Sequence, residues 1–221
     1  EGERLHTIYV GATPQYGKEA FHTRLVRELD RVKARYPDIP YVGLGDGAAD
    51  NWSFLSPLTD RQVVDFYHVS EYVGKAAAAM FPGKRRAEKR AAWLDDRLHR
   101  LKHKQGAASR LLDEMEEFEV SHTVRGDKLR CGLQSAITYF RNQKPRMHYS
   151  YHTARGQPIG SGVTEAACKV LIKQRFCRSG SRWKEQGASA VLSIRSLKLT
   201  PGRWNAFWKR VSQYGFAYQS A

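Results

Sequence analysis

The chain is short of cysteine, of long apolar runs and, through its second part, of acid. Its three cysteines, Cys131, Cys168 and Cys177, form no CxxC pair and make an odd set. That argues against a zinc knuckle or a disulfide framework and reads as reduced thiols in a cytosolic protein. No run approaches the roughly 20 apolar residues of a spanning helix, and no basic amphipathic terminal anchor is present, so a membrane partner is disfavoured. There is no signal peptide, no internal repeat, and no low-complexity patch beyond Ala76 to Ala79. The chain starts at Glu1 without methionine and runs at once into strand-like sequence, which reads as a piece of something longer. Acids are the scarcest feature where they matter most: residues 121–221 contain eighteen Lys and Arg but only Asp127, Glu165 and Glu185.

What is present is enough for a packed core. At 221 residues, with 41% hydrophobic and 11% aromatic content, the chain suits one large domain or a domain with an insertion. Residues 1–120 hold nineteen bases and nineteen acids, so the formal net charge of +15 belongs entirely to the second part. An excess of positive charge gathered in one segment points to a polyanion, most commonly nucleic acid.

Hydropathy patterning predicts strands at "LHTIYVG" (5–11), within "PYVGLGDGAAD" and at "RQVVDFYH", with a helix over 18–35 carrying Phe21, Leu25, Leu29 and Val32. From His68 the pattern turns helical and highly charged, with Leu94, Leu98 and Leu101 as an apolar stripe. The expected organisation is an α/β core over 1–68, an all-helical insertion over 69–150, and a return to the core over 151–221. The last part should hold a helix after Gly162 and another over about 186–199.

Several residues could carry chemistry. Asp46 follows an apolar strand, where α/β proteins place ligand groups, although Asp-Gly is also an ordinary turn pair. Asp65 and His68 stand three apart, either as a hydrogen-bonded pair or as a helix cap followed by a half-buried histidine. Glu165 suits the first turn of a helix and could pair with Lys169, effects worth only about 0.3 to 1 kcal/mol. It could equally be a metal ligand facing a basic DNA track, since converging carboxylates require a divalent cation to neutralise them. Lys169, Lys173, Arg175, Arg178, Arg182 and Lys184 flank Trp183, which suits either base stacking or core packing. Trp204 and Trp208 read as core packing of a C-terminal helix.

Taken together, "GDGA", "DFYH", the helical insertion and "PIGSGVTEAACKVLIKQRFCRSGSRWKEQGASAVLSIRSL" ending in "GRWNAFWKR" resemble bacterial insertion-sequence DDE transposases of the ISKra group, relatives of the Mutator-like elements. The resemblance implies an RNase H-like core and two magnesium ions, with manganese as a substitute, acting in DNA cleavage and strand transfer. It implies that Asp46 and Glu165 are catalytic metal ligands sharing one site, and that Asp65 and His68 match a supporting D-x-x-H motif. The family's first aspartate would lie upstream of Glu1, so the 221-residue chain is expected to bind DNA without cutting it. The resemblance further implies transposon-end and target DNA as partners, a homodimer or higher oligomer on DNA, and a nucleoid-associated place in the cytoplasm. Two rival readings are a decayed or domesticated fragment that only binds DNA, and an RNase H-like nuclease that cuts without joining.

Overall fold

The computed structural model describes residues 7–13 and 17–216. In chain order the elements are α1 (Gly17–Arg35), β1 (Val42–Gly45), α2 (Ala49–Leu55), β2 (Arg61–Val64), α3 (Phe66–Met80), α4 (Ala87–His103), α5 (Ala107–Ser121), α6 (Asp127–Gln143) and α7 (Tyr149–Thr153). They continue with α8 (Gly162–Cys168), a π-helical turn (Lys169–Lys173), α9 (Gln174–Phe176), α10 (Glu185–Leu199) and α11 (Arg203–Tyr214).

The expected RNase H-like α/β core is not the architecture found. The chain is 71% helical, and β1 and β2 are the only strands among the described residues, so no multistranded sheet exists for an insertion to interrupt. The strand expected over 5–11 shows why; its first two residues lie outside the described ones, and the remainder has no regular secondary structure and pairs with no strand. The Tyr9 N–H donates to Thr200 Oγ1 at 3.1 Å, and a side chain placed on Gly11 would meet Leu192 at 3.1 Å. Helix α10 and the residue after it thus supply what a neighbouring strand would have supplied, and a β-rich composition yields no ladder.

The described residues fall into two compact units, 40–161 and 7–39 with 162–216. In the first, β1 and β2 pair in parallel with Gly45 opposite Val64, joined through α2. Val63 and Val64 are fully buried, as strands covered on both sides require. Helix α3 supplies Val69, Val73 and Ala76 at helical spacing to the core that Leu133, Ala136, Ile137 and Phe140 of α6 share. Small residues allow close approach: a side chain on Gly132 of α6 would lie 3.7 Å from Lys75 Cβ of α3. The stripe expected on α4 is real, with Leu101 buried and Leu94 and Leu98 packed against the core. Leu111, Leu112 and Met115 of α5 extend the same core, which α7 joins through the fully buried Tyr149. Each such buried side chain stabilises the fold by about 1.5 to 3 kcal/mol.

The second unit buries far less. Leu171 and Leu192 are its buried apolar residues among those described, and α1 and α11 bury none fully. Arg203 of α11 makes a bidentate ion pair with Glu28 of α1, its Nη1 donating to Oε1 at 2.9 Å. Trp204 is half-buried but Trp208 is 42% exposed, so the packing role expected of the pair holds for only one of them.

Candidate functional site

Asp46 and Asp65 leave the carboxyl ends of two hydrogen-bonded parallel strands at the same level. Gly45 and Val64 are register partners, and the Asp65 N–H continues the ladder to the Gly45 carbonyl at 2.7 Å. Adjacent strands lie about 4.8 Å apart, so the two acids emerge as neighbours. Their environments differ sharply. Asp46 is exposed, and its Oδ1 accepts from the Ala48 N–H at 3.0 Å and from Asn51 Nδ2 at 2.9 Å. The turn reading of Asp-Gly is therefore realised, and it occupies one oxygen only; Oδ2 has no partner among the described residues.

Helix α6 clamps this turn. The Tyr139 hydroxyl donates to the Asp46 carbonyl at 2.9 Å, Gln143 Nε2 donates to the Gly47 carbonyl at 2.9 Å, and Trp52 Nε1 donates to Gln143 Oε1 at 3.0 Å. Gly47 has φ of 102°, and a side chain there would lie 2.9 Å from the Tyr139 hydroxyl. Only glycine satisfies both conditions. Burial pushes the Tyr139 hydroxyl well above the ordinary tyrosine range, and Tyr72, Asp46, Asp65 and Glu71 push it the same way. It remains a neutral donor at any physiological pH. Nothing in the sequence marked Tyr139 or Gln143 for this work.

Asp65 is fully buried and saturated. Its Oδ1 accepts from the Tyr67 N–H at 2.8 Å, and its Oδ2 faces His68 Nδ1 at 3.2 Å and accepts from the Ser161 hydroxyl. The cap and the Asp65–His68 hydrogen bond thus coexist. Burial pushes the pKa of Asp65 up, but the hydrogen bonds from Ser161, Tyr67 and His68 outweigh it and hold the carboxyl below its ordinary range. The Phe66 N–H donates to the Ile159 carbonyl at 2.9 Å, and a side chain on Gly160 would meet the Tyr67 ring at 2.8 Å. The end of β2 therefore fastens residues 159–161, the "IGS" that precedes Glu165 by a few positions in the chain.

In the second unit Glu165 stands in the first turn of α8, exposed, and lines a shallow cavity of about 620 Å³ with Lys169 and Lys173. Beyond it the helix passes through the π-helical turn. Arg195 of α10 donates its Nε to the Leu171 carbonyl at 3.0 Å and its Nη2 to the Val170 carbonyl, satisfying acceptors in that turn. Lys169, Lys173, Arg175, Arg178, Arg182 and Lys184 are all exposed and form no ion pair among the described residues. Trp183 is half-buried, 5.0 Å from Phe176 between ring centroids, with the Arg175 guanidinium 4.7 Å over its ring. Its indole N–H is buried without a partner.

Magnesium is held by hard oxygens, commonly one or two carboxylates with retained waters. The free oxygen of Asp46 and the exposed carboxylate of Glu165 fit that donor type, whereas the engaged carboxylate of Asp65 does not. No three His, Cys, Asp or Glu side chains converge among the described residues. No helix among them is long and apolar enough to cross a membrane. Comparison with family models, with curated proteins and with solved structures finds no match.

Proposed function

We propose that the chain acts on DNA by magnesium-dependent phosphoryl transfer, as DDE transposases do, on a mostly helical scaffold. The observation that carries this reading is the pair of acids at the level carboxyl ends of β1 and β2, one free to bind and one buried as a fastener. Asp46 and Glu165 are the proposed metal ligands, and Asp65 and His68 are positioning residues. Asp65 holds the strand end and the "IGS" segment; His68 orients its carboxylate. Bound magnesium, or manganese in its place, would supply activation of the attacking oxygen and charge neutralisation at the phosphate. The exposed cations from Lys169 to Lys184 would hold the DNA backbone, with transposon ends and target as substrates and two or more copies assembling on them in the bacterial nucleoid.

The test pairs binding with metal dependence. Titration of labelled duplex at several salt concentrations should give a log–log slope near −4.5, the value for about five neutralised phosphates. Manganese binding followed by electron paramagnetic resonance should weaken in both Asp46→Asn and Glu165→Gln, and persist in His68→Ala. Salt-independent binding, or manganese affinity indifferent to both acids, overturns the reading.

A DNA-binding chain without catalysis is the second reading. It is supported by the exposed cations from Lys169 to Lys184, which have no acidic partner among the described residues and need no metal to hold a DNA backbone. Duplex binding with the expected salt slope, combined with no acid-dependent manganese affinity, selects it.

A further inference from the structure

The first unit contains a cavity that the function above does not use. It measures about 640 Å³, within the range of small-molecule sites, and is walled by Arg61, Lys104, Lys144 and His148 together with Ser109 and Ser150. These residues come from the start of β2, the loop before α5, the turn after α6 and the entry to α7. Four separate stretches of chain thus deliver basic side chains to one concavity, and none delivers an acid to its wall. Arg61, Lys104 and Lys144 form no ion pair among the described residues. Elsewhere in the same unit arginines are paired with carboxylates, as Arg97 is with Glu114 and Arg141 with Glu116.

Two further observations bear on what such a wall would hold. The Arg61 guanidinium lies 4.3 Å from the centroid of the Tyr151 ring, which also lines the cavity, and Arg155 lies 3.6 Å from the same centroid, so the aromatic ring steadies both planar cations. Helix α5, fifteen residues long, opens into the cavity at Gly106, Ala108 and Ser109, with no side-chain cap and no acid in its first turn. Helix starts ordinarily carry one or the other. Nearby His152 has its pKa lowered by burial first, and then, against the opposing hydrogen bond with Gln157, by the charges of Arg61, His148 and Arg155. Converging cations with no counter-charge repel one another, and an anion seated among them removes that cost.

We propose that this cavity binds a phosphate group of a polynucleotide strand. The source of the phosphate rests on the nucleic-acid reading above; the preference for phosphate rests on the cavity alone. Arg61 begins β2 and Asp65 follows its last residue, so the cavity lies about 13 Å along the strand from the acid end. Measured along a duplex axis, that distance spans about four phosphates of one strand. The pocket therefore holds backbone away from the acids and fixes its register.

The experiment uses the whole chain and three probes: a labelled oligonucleotide, a nucleoside monophosphate and inorganic phosphate. The double variant Arg61→Gln with Lys144→Gln should weaken oligonucleotide binding about tenfold and reduce the salt slope by about two. The pair Arg61→Lys with Lys144→Arg should retain most of the affinity, and an unchanged circular dichroism melting curve excludes unfolding as the cause. Unaltered binding of all three probes by the glutamine variant overturns the site. Loss confined to the monophosphate and inorganic phosphate overturns the assignment to a strand. A variant with Lys169, Lys173, Arg175 and Arg178 replaced by Ala separates the two readings. If that variant binds DNA normally while the cavity variant does not, the DNA track proposed earlier fails and the cavity stands.

Discussion

The two units spend their charge in opposite ways. Residues 40–161 hold nineteen basic and fourteen acidic residues, and many of these meet: Arg97 with Glu114, Arg100 with Asp96, Arg130 with Asp127, Arg141 with Glu116. Residues 7–39 with 162–216 hold seventeen basic and six acidic residues, and the cations from Lys169 to Lys184 meet no acid among the described residues. Apolar burial follows the same division. The main core lies between Trp52 and Tyr149, whereas the second unit has Leu171 and Leu192. The second unit thus combines few buried apolar residues with cations that have no acidic partner among the described residues.

The largest effect that could break this comparison is in the core. Phe140→Ala should cost about 3 to 5 kcal/mol, because the ring is fully buried at the α3–α6 interface. Leu192→Ala should cost about 2 kcal/mol, the low end for such a change, given the sparse packing around it. Urea unfolding of both variants decides the matter; equal costs would show that the second unit has a core as consequential as the first.

Asp65→Asn comes next, at about 1 to 3 kcal/mol, since a carboxylate accepting three hydrogen bonds becomes an amide that accepts fewer. The accompanying pH dependence has a definite sign. The folded-state carboxyl titrates below its ordinary value near 3.8, so its stabilisation is complete above that value and is lost as pH falls through the lower folded value. Acid unfolding profiles of the wild type and of Asp65→Asn should converge at low pH and separate above it; parallel profiles would remove Asp65 as the fastener of the strand end.

DNA affinity sharpens the comparison from the other side. Replacing Lys173 with Ala should reduce the salt slope of duplex binding by about one, while replacing Arg100, already paired with Asp96, should leave it unchanged. The smallest effect expected is on stability in Glu165→Gln, within about 0.5 kcal/mol, because the side chain is exposed and unpaired among the described residues. A larger loss in a melting experiment would make Glu165 a structural acid and weaken its assignment as a ligand.

By itself the sequence determined most of the helices and the charge. Periodic apolar residues set α1 and α4 because a helical face repeats every few positions, and that repeat is local. Asp65 and His68 were legible as a pair because three positions on a helix bring side chains together whatever surrounds them. The polarisation of charge toward residues 121–221 is a matter of counting. Only the tertiary structure decided whether an apolar β-branched run becomes part of a sheet. "TIYVG" has the composition of a strand, yet its neighbours are Thr200 and Leu192, almost two hundred positions away, and strand formation depends on a partner that composition cannot supply. The same holds for Tyr139, Gln143 and Ser161, ordinary residues in sequence that become the clamp on Asp46 and the fastening of Asp65 through contacts spanning more than ninety positions. Hydrogen-bond partners that distant are chosen by how helices and strands pack, and no local pattern encodes that choice.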